Sequence, residues 1–464
     1  MIAILCALLS GAMFYLSTNL GEVWWLAWIA PVPVLWLAFG PARNRVVGAA
    51  AYAAAALGAT NLLTAYGGIF PWQAFAVIFT VPCLLFAAIV LGARWVGRRV
   101  HPLAGIMAFA ALWTSWDLFA AFGPDGTAAS PSYSQVGMPL LIQGASLFGL
   151  WVVTFLLGFV AGGLALALRT RTVLPAALAA GVFVLDAGYG AAAMRDLPQH
   201  AHVGLIANDA IAKQAFADDR GTALGVIAGY AAAARKLDAP LIVMPEHTAI
   251  LRDAWREDAR RVLQDAADAR NATLVLGLDE RSGSTRRNIA WVFQPHGAGP
   301  LAYVKRRLVP GLEARFVPGD APLALPESRM VEICKDMDFP AMLRSDAYAS
   351  HPRLVAVPAW DFEADAFPHA RLAIMRSVES GFAMARASRN GLLTLSDPYG
   401  RIAENQTSDA APGFVALTGD VAIGAGAPTL YDRIGDAFGW ACVALSAALL
   451  LLALFRHRVI QSRA

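Results

Sequence analysis

Three short segments of this chain each place a reactive side chain at or just past the end of an apolar run. In Leu241-Ile242-Val243-Met244-Pro245-Glu246, a buried strand would hold a carboxylate at a sheet edge. Low dielectric there raises its pKa toward that of a general base, and a solvated charge after a strand is the plain alternative. In Tyr303-Val304-Lys305-Arg306-Arg307-Leu308-Val309-Pro310-Gly311-Leu312-Glu313, Lys305 can lower the pKa of a neighbouring nucleophile and hold an oxyanion, with Glu313 to orient it. In Val331-Glu332-Ile333-Cys334-Lys335-Asp336-Met337-Asp338-Phe339-Pro340, a thiol follows an apolar strand and precedes a tight, charged turn whose N–H groups can face an acyl carbonyl. A carboxylate, a lysine and a thiol suffice for acyl transfer at an amide or ester, with the carboxylate as base in place of a histidine. Cys6, Cys83 and Cys442 fall in apolar spans, where a thiol behaves as a small hydrophobe. Cys334 stands without a disulfide partner in the polar stretch, either as a buried structural residue or as a nucleophile.

The elements that must position these residues alternate between strand and helix patterns from about 200 to 425. Strands are expected at 202–207, 240–245, 272–278, 288–294, 301–306, 331–335, 354–357, 382–387, 392–396 and 413–418. Helices are expected at 221–237, 252–270 and 368–380, the last with Leu372, Met375, Arg376 and Glu379 at helical spacing. Ser396-Asp397-Pro398-Tyr399-Gly400 reads as a strand-to-strand turn. The mixture implies a layered α/β domain with sheets inside and helices outside.

The rest of the chain is of another kind. Hydrophobic residues make up 57% of the whole and charged residues 15%, and the charges concentrate in the central stretch. A soluble domain carries roughly 25% charged residues. About eight apolar runs are long enough to span a bilayer, near 1–18, 22–40, 46–66, 70–93, 102–122, 138–168, 173–193 and 434–456. The first has no positive charge before its apolar core and is read as a helix, not a signal peptide. Arg43 and Arg45, Arg94, Arg98 and Arg99, Arg169 and Arg171, and Arg456 and Arg458 follow alternate spans; the intervening short loops lack Lys and Arg. Positive charge accumulates on the cytoplasmic side, which puts both termini in the cytoplasm and the polar domain outside, in the periplasm of a Gram-negative cell. Trp24, Trp25, Trp28 and Trp72 are expected as interfacial anchors. The organisation is therefore a membrane bundle over 1–198, a catalytic domain over 199–425, and a C-terminal span with a short tail over 426–464. A net charge of +3 gives no sign of a nucleic-acid partner.

Taken together in chain order, the three segments resemble the nitrilase (carbon–nitrogen hydrolase) superfamily. The likeness continues through Ala359-Trp360, the run from Met375 through Glu379 and Arg386 to Asn390-Gly391, and Asp397-Pro398-Tyr399-Gly400. It implies an αββα sandwich, with Glu246 as general base, Lys305 as transition-state stabiliser, Cys334 as nucleophile and Glu313 as the second glutamate supporting the lysine. A nitrilase-like domain behind seven spans and before an eighth is similar to the apolipoprotein N-acyltransferase family. That resemblance implies an inner-membrane enzyme that moves an acyl chain from a phospholipid onto the cysteine as a thioester, then onto the free amine of a diacylglyceryl-cysteine lipoprotein.

The chain departs from that family's usual pattern in four places. Lys335-Asp336 stands where Tyr-Glu is usual after the nucleophile, and Pro310-Gly311-Leu312-Glu313 where Pro-Phe-Gly-Glu is usual. Ile206-Ala207-Asn208 replaces Gln-Gly-Asn, and Val357-Pro358 replaces Asn-Asp. The acceptor pocket is where these changes bear, so an amidase or acyltransferase of the same superfamily acting on a different amine or amide is the alternative. A non-enzymatic transporter or scaffold is a third reading, which the intact triad and the scarcity of charge in the spans (Asp117 and Asp186) weigh against. Lys335 adds a positive charge beside the thiol and is a candidate for an anionic head group, and Trp360 and Phe362 for a substrate pocket. No metal or cofactor is expected: His247 and His369 are lone histidines without ligand spacing.

Overall fold

The computed structural model describes residues 1–69, 72–363 and 365–461, which form two compact units: Met1–Met194 with Ile434–Ala464, and Arg195–Arg433. The first unit is helical throughout, as apolar runs without water must be if they are to satisfy their own backbone groups. Six helices among the described residues are long and apolar enough to cross a membrane: Asn44–Leu63, Ala76–Arg99, Pro102–Ala120, Leu150–Thr170, Val173–Ala193 and Ala437–Arg456. Each falls on an expected span. The two earliest expected spans are helical but shorter, Ile2–Ser17 and Trp24–Ala38, and the second breaks at Pro31 into a 3₁₀ turn and the helix Val32–Ala38. The run expected as one span at 138–168 is also broken. Gly149 at φ +71° turns the chain, so the long helix begins only at Leu150.

Close approach in this unit depends on small residues. A Cβ on Gly105 would come within 2.9 Å of the Gly97 Cα, and one on Gly158 within 3.0 Å of the Ala110 Cα. Two expectations need correcting. The start of the fourth span, at 70, lies outside the described residues, but its helix continues to Arg99. Arg94 is therefore not a loop charge: it is buried and donates to the carbonyls of Ala38, Gly40 and Ala42 and to Asn44 Oδ1. Likewise Trp25 and Trp72 are exposed, but Trp28 is buried, with its indole N–H on Gln135 Oε1 at 2.7 Å.

The second unit is an αββα sandwich. Its strands are β1 (Gln199–Ala207), β2 (Leu241–Val243), β3 (Ile250–Arg252), β4 (Thr273–Ser282), β5 (Thr285–Phe293), β6 (Leu301–Val304), β7 (Leu323–Leu325), β8 (Arg329–Val331), β9 (Leu354–Trp360), β10 (Ala383–Arg389), β11 (Leu392–Ser396), β12 (Ile402–Thr407) and β13 (Val415–Ile423). The first sheet runs β13-β1-β2-β4-β5-β6, with β3 also on β4; the second runs β12-β11-β10-β9-β8-β7. Pairing is parallel at β1–β2, β2–β4, β3–β4, β8–β9 and β9–β10. Strands buried on both faces need continuous apolar sequence, which is what 241–243, 354–357 and 383–385 supply. Val203, Leu205, Val243 and Val275 of one sheet pack on Ala356, Ala383, Ala385 and Leu395 of the other. The alternate residues, including Ile206, Ile242 and Leu274, face the helices Arg220–Ala234 and Arg256–Arg270. Helices Pro340–Ser350 and Ala366–Ser380 accompany the second sheet. Nine of the ten expected strands and all three expected helices are present; the strand expected at 331–335 instead ends at Val331, and Cys334 and Lys335 enter a 3₁₀ turn. Strands β3, β7 and β12 and the helix at 340–350 were not anticipated; the three strands are short or polar and carry little apolar signal.

Candidate active site

Glu246 lies three residues beyond β2, where the chain leaves the sheet with the Met244 N–H on Val275 O and the Glu246 N–H on Ala359 O. Gly277 on the neighbouring strand makes room: a Cβ there would sit 2.5 Å from the Glu246 Cα. Lys305 directly follows β6, its N–H held by Asn288 O. The lysine ammonium donates to Glu246 Oε1 at 2.8 Å and to Glu313 Oε2 at 2.9 Å, and all three side chains are buried. Asn288, on β5, uses its amide nitrogen for the same two carboxylates, at 2.6 Å to Glu246 and 2.7 Å to Glu313. Glu313 also takes the Val309 N–H, which closes the loop it sits on. Burial opposes charge on Glu313, but Lys305 and His247 outweigh it and hold the carboxyl well below its usual range. Burial opposes charge on Lys305 as well, and Glu246, Glu313 and Cys334 more than restore it. The result is one buried cation shared between two carboxylates.

Cys334 opens the 3₁₀ turn Cys334–Asp338, three residues past β8. Its backbone is left-handed, at φ +42°, a conformation an L residue rarely holds except where neighbours enforce it. The enforcing neighbour is Asp336, fully buried, which takes the N–H of Ile333 on one oxygen and those of Arg306 and Arg307 on the other. The cysteine turn and the lysine segment are thereby fastened to each other. Tyr303 completes the anchor. Its hydroxyl lies 2.6 Å from Glu332 Oε2 and 2.8 Å from Asp336 Oδ2 while accepting from Arg306 Nε. A phenol has one proton, so two such short contacts require a proton on one of the carboxyls. Burial agrees, pushing Glu332 up to about 8 and Asp336 up to about 6.

The thiol itself is pushed well above its ordinary pKa, by burial first and by Glu246 second; Lys305 and Arg386 pull the other way. At rest it is a thiol with a carboxylate nearby to take its proton. Its Sγ lies 3.6 Å from Trp360 O. Trp360 carries one ring wall, with Phe216, His247 and Phe362 at centroid distances of 5.5, 6.1 and 6.4 Å. Lys335 turns to Asp338 at 3.4 Å and lies over Phe339.

Among the described residues, two groups of side chains have metal-ligand composition, Glu246-His247-Glu313 and Asp361-Asp365-His369. In the first, the cation position is taken by the Lys305 ammonium. In the second, Arg386 makes two bonds to Asp361, at 2.5 and 2.9 Å, and His369 lies 3.1 Å from the same carboxylate. Each group already has its own organic cation. The sequence named Glu246, Lys305, Cys334 and Glu313, and the structure brings Glu246, Lys305 and Glu313 into one network within electrostatic reach of Cys334. It missed Asn288, which had no signal beyond lying on an expected strand, and Tyr303 and Asp336, which were quoted in motifs but given no role.

The family model for the apolipoprotein N-acyltransferase N-terminal domain matches residues 10–163. The apolipoprotein N-acyltransferase of Azotobacter vinelandii is 29% identical over 390 residues, covering 76% of this chain and 73% of its own. That of Geobacter metallireducens is 27% identical over 515 aligned positions, covering 98% of this chain and 96% of its own. Among solved structures, an amidase of the nitrilase superfamily from Nesterenkonia is 24% identical with a TM-score of 0.40, covering 52% of this chain and 96% of its own. The match begins in the helical unit and, in the Geobacter relative, extends through the sandwich that carries the cysteine. Over most of its length this chain is thus similar to apolipoprotein N-acyltransferases.

Proposed function

We propose that the protein is a phospholipid-dependent N-acyltransferase that acylates the N-terminal amine of diacylglyceryl-cysteine lipoproteins. Residues 1–198 and 426–464 would provide the bundle in the bacterial inner membrane, and residues 199–425 the catalytic domain on the periplasmic side. The observation that carries the chemistry is the buried Glu246–Lys305–Glu313 network within electrostatic reach of a strained, protonated thiol.

Glu246 takes the Cys334 proton as the sulfur attacks the ester carbonyl of a glycerophospholipid. The oxyanion that forms is stabilised by the Lys305 ammonium and the backbone N–H of Lys335. Collapse breaks the ester C–O bond, and the departing lysophospholipid alkoxide takes the proton back from Glu246. A free amine then attacks the thioester, Glu246 accepts a proton from the nitrogen, and the thiolate leaves and is reprotonated. Glu313 and Asn288 keep the lysine aimed while Glu246 changes protonation state. Trp360 and Phe362 supply apolar surface against water, which would otherwise hydrolyse the thioester.

The test is an incubation of the full-length protein in mixed micelles with phosphatidylethanolamine and a diacylglyceryl-cysteine peptide, read by mass spectrometry beside Cys334→Ala. The expected product is a peptide heavier by one acyl chain, absent with the variant. An acylated Cys334 with an unmodified peptide would remove the lipoprotein acceptor from the proposal. No acylated species at all would remove the donor chemistry.

A further inference from the structure

Arg389 ends β10 and is almost fully buried, with 1% of its surface exposed. Among the described residues no carboxylate pairs with it. Its Nη1 donates to Ala212 O at 3.3 Å, while Nε and Nη2 have no hydrogen-bond partner. Those two donors are not scattered: they form one edge of the guanidinium, the edge whose parallel N–H vectors fit two oxygens of a single phosphate or carboxylate. The guanidinium lies over the Trp360 ring at 3.8 Å and beside Phe216 at 5.4 Å. Ring faces compensate a buried cation only in part. Burial lowers its pKa to about 10, and Tyr230, Glu246 and Asp209 act on it only at a distance. Asp209 is already bonded to the Asn390 N–H and to Ser408.

An unbalanced buried cation with a whole donor edge free is costly unless something outside the chain completes it. Its position says what. Arg389 stacks on Trp360, whose carbonyl is the atom touching the Cys334 sulfur. In a glycerophospholipid, the ester to be cleaved and the phosphate are separated only by the glycerol carbons. Phe216, itself half exposed, and the turn Asp209–Phe216 lie beside the guanidinium, Ala212 of that turn accepting from Nη1.

We propose that Arg389 is the phosphate-binding residue of the acyl-donor site, taking two phosphate oxygens on Nε and Nη2 while the donor's ester reaches Cys334. This rests on the acyl-transfer reading for its consequence in turnover but not for the binding site itself. Lys335, by contrast, is engaged with Asp338 at 3.4 Å.

The experiment measures single-turnover acylation of Cys334 in the full-length protein in micelles, by intact mass. The donors are phosphatidylglycerol and the diacylglycerol with the same chains. The wild type is expected to prefer the phosphate-bearing donor about tenfold or more, and Arg389→Gln to reduce that ratio to within about twofold, with Arg389→Lys in between. A general loss of folding or of Trp360 placement slows both donors alike and leaves the ratio standing, so a preserved ratio overturns the proposal. In a second arm, sn-glycerol 3-phosphate binding is followed by calorimetry. Binding to the wild type and not to Arg389→Gln supports the site even if neither lipid acylates Cys334, a result that would instead defeat the acyl-transfer reading. If glycerol phosphate binds in this Arg389-dependent way but the wild type shows no donor preference, the assignment to the acyl donor is overturned and the ligand is a soluble phosphate ester. Equal binding to both proteins, or to neither, overturns it.

Discussion

The helical unit and the sandwich both bury charge, and they neutralise it differently. In the helices, Arg94 spends its donors on three backbone carbonyls and a side-chain amide, and Asp117 accepts from the hydroxyls of Ser130 and Thr154. Those partners are fixed dipoles that do not titrate. In the sandwich, Lys305 lies between two carboxylates, Tyr303 lies between two more, and a thiol stands within electrostatic reach of the lysine. Partners of that kind can exchange protons. Dipolar compensation makes a structural element, whereas compensation by titratable groups makes a site. Arg389 belongs to neither class, which is why its free edge points to a ligand.

The sharpest way to break this comparison is Lys305→Met, which leaves Glu246 and Glu313 facing each other without their cation. Acylation of Cys334 should fall by at least about 10²-fold, the scale of losing a preorganised oxyanion donor. A smaller drop in single-turnover mass measurements would mean the lysine is only structural. Asn288→Ala removes two hydrogen bonds to charged groups while keeping the triad. It should lower the same rate by about ten- to a hundredfold.

In the helical unit the expected effect is on stability alone. Arg94→Leu should destabilise the protein by about 2–4 kcal/mol by orphaning three carbonyls. The acylation rate of the folded fraction should be unchanged, as thermal unfolding and single-turnover kinetics in parallel would show.

Glu246→Gln separates the two roles of that carboxylate. Its negative charge raises the Cys334 pKa, so its removal should speed iodoacetamide alkylation of Cys334 at pH 8 by about three- to tenfold while acyl transfer falls. Slower alkylation would mean the thiol is not held up by Glu246.

The smallest effect concerns Asp361, held down to about 2 against burial by Arg386 and His369. A depressed carboxyl contributes stability that is present above its unfolded pKa and lost as pH falls through the folded value. Asp361→Asn should therefore cost about 2 kcal/mol at pH 7, and the gap to wild type should close between about pH 4 and pH 2. A gap independent of pH would show that shape, not charge, is what Asp361 contributes.

Much of this was legible because it is local. Apolar runs of spanning length had to become helices, and the buried strands announced themselves as continuous Val, Ile, Leu and Ala. Glu246, Lys305 and Cys334 were readable because each follows an apolar run within a few residues. Breaks within the apolar runs were not readable from hydropathy: Gly149 and Pro31 interrupt segments whose composition stays apolar on both sides. Nor was the fate of the basic residues, since Arg94 looks like any charge near a span end until its carbonyl partners are seen.

The sequence by itself determined the two kinds of domain and the chain order of the candidate residues, because hydrophobic length and side-chain chemistry are properties of the chain alone. Only the tertiary structure decided which charges are balanced. Asn288 joins Glu246 and Glu313 from a strand 42 residues after the one and 25 before the other. Asp336 fastens two segments about 30 residues apart, and Arg389 finds rings but no acid. Compensation of a buried charge depends on what lies within a few ångströms in space, and chain separation carries no information about that distance.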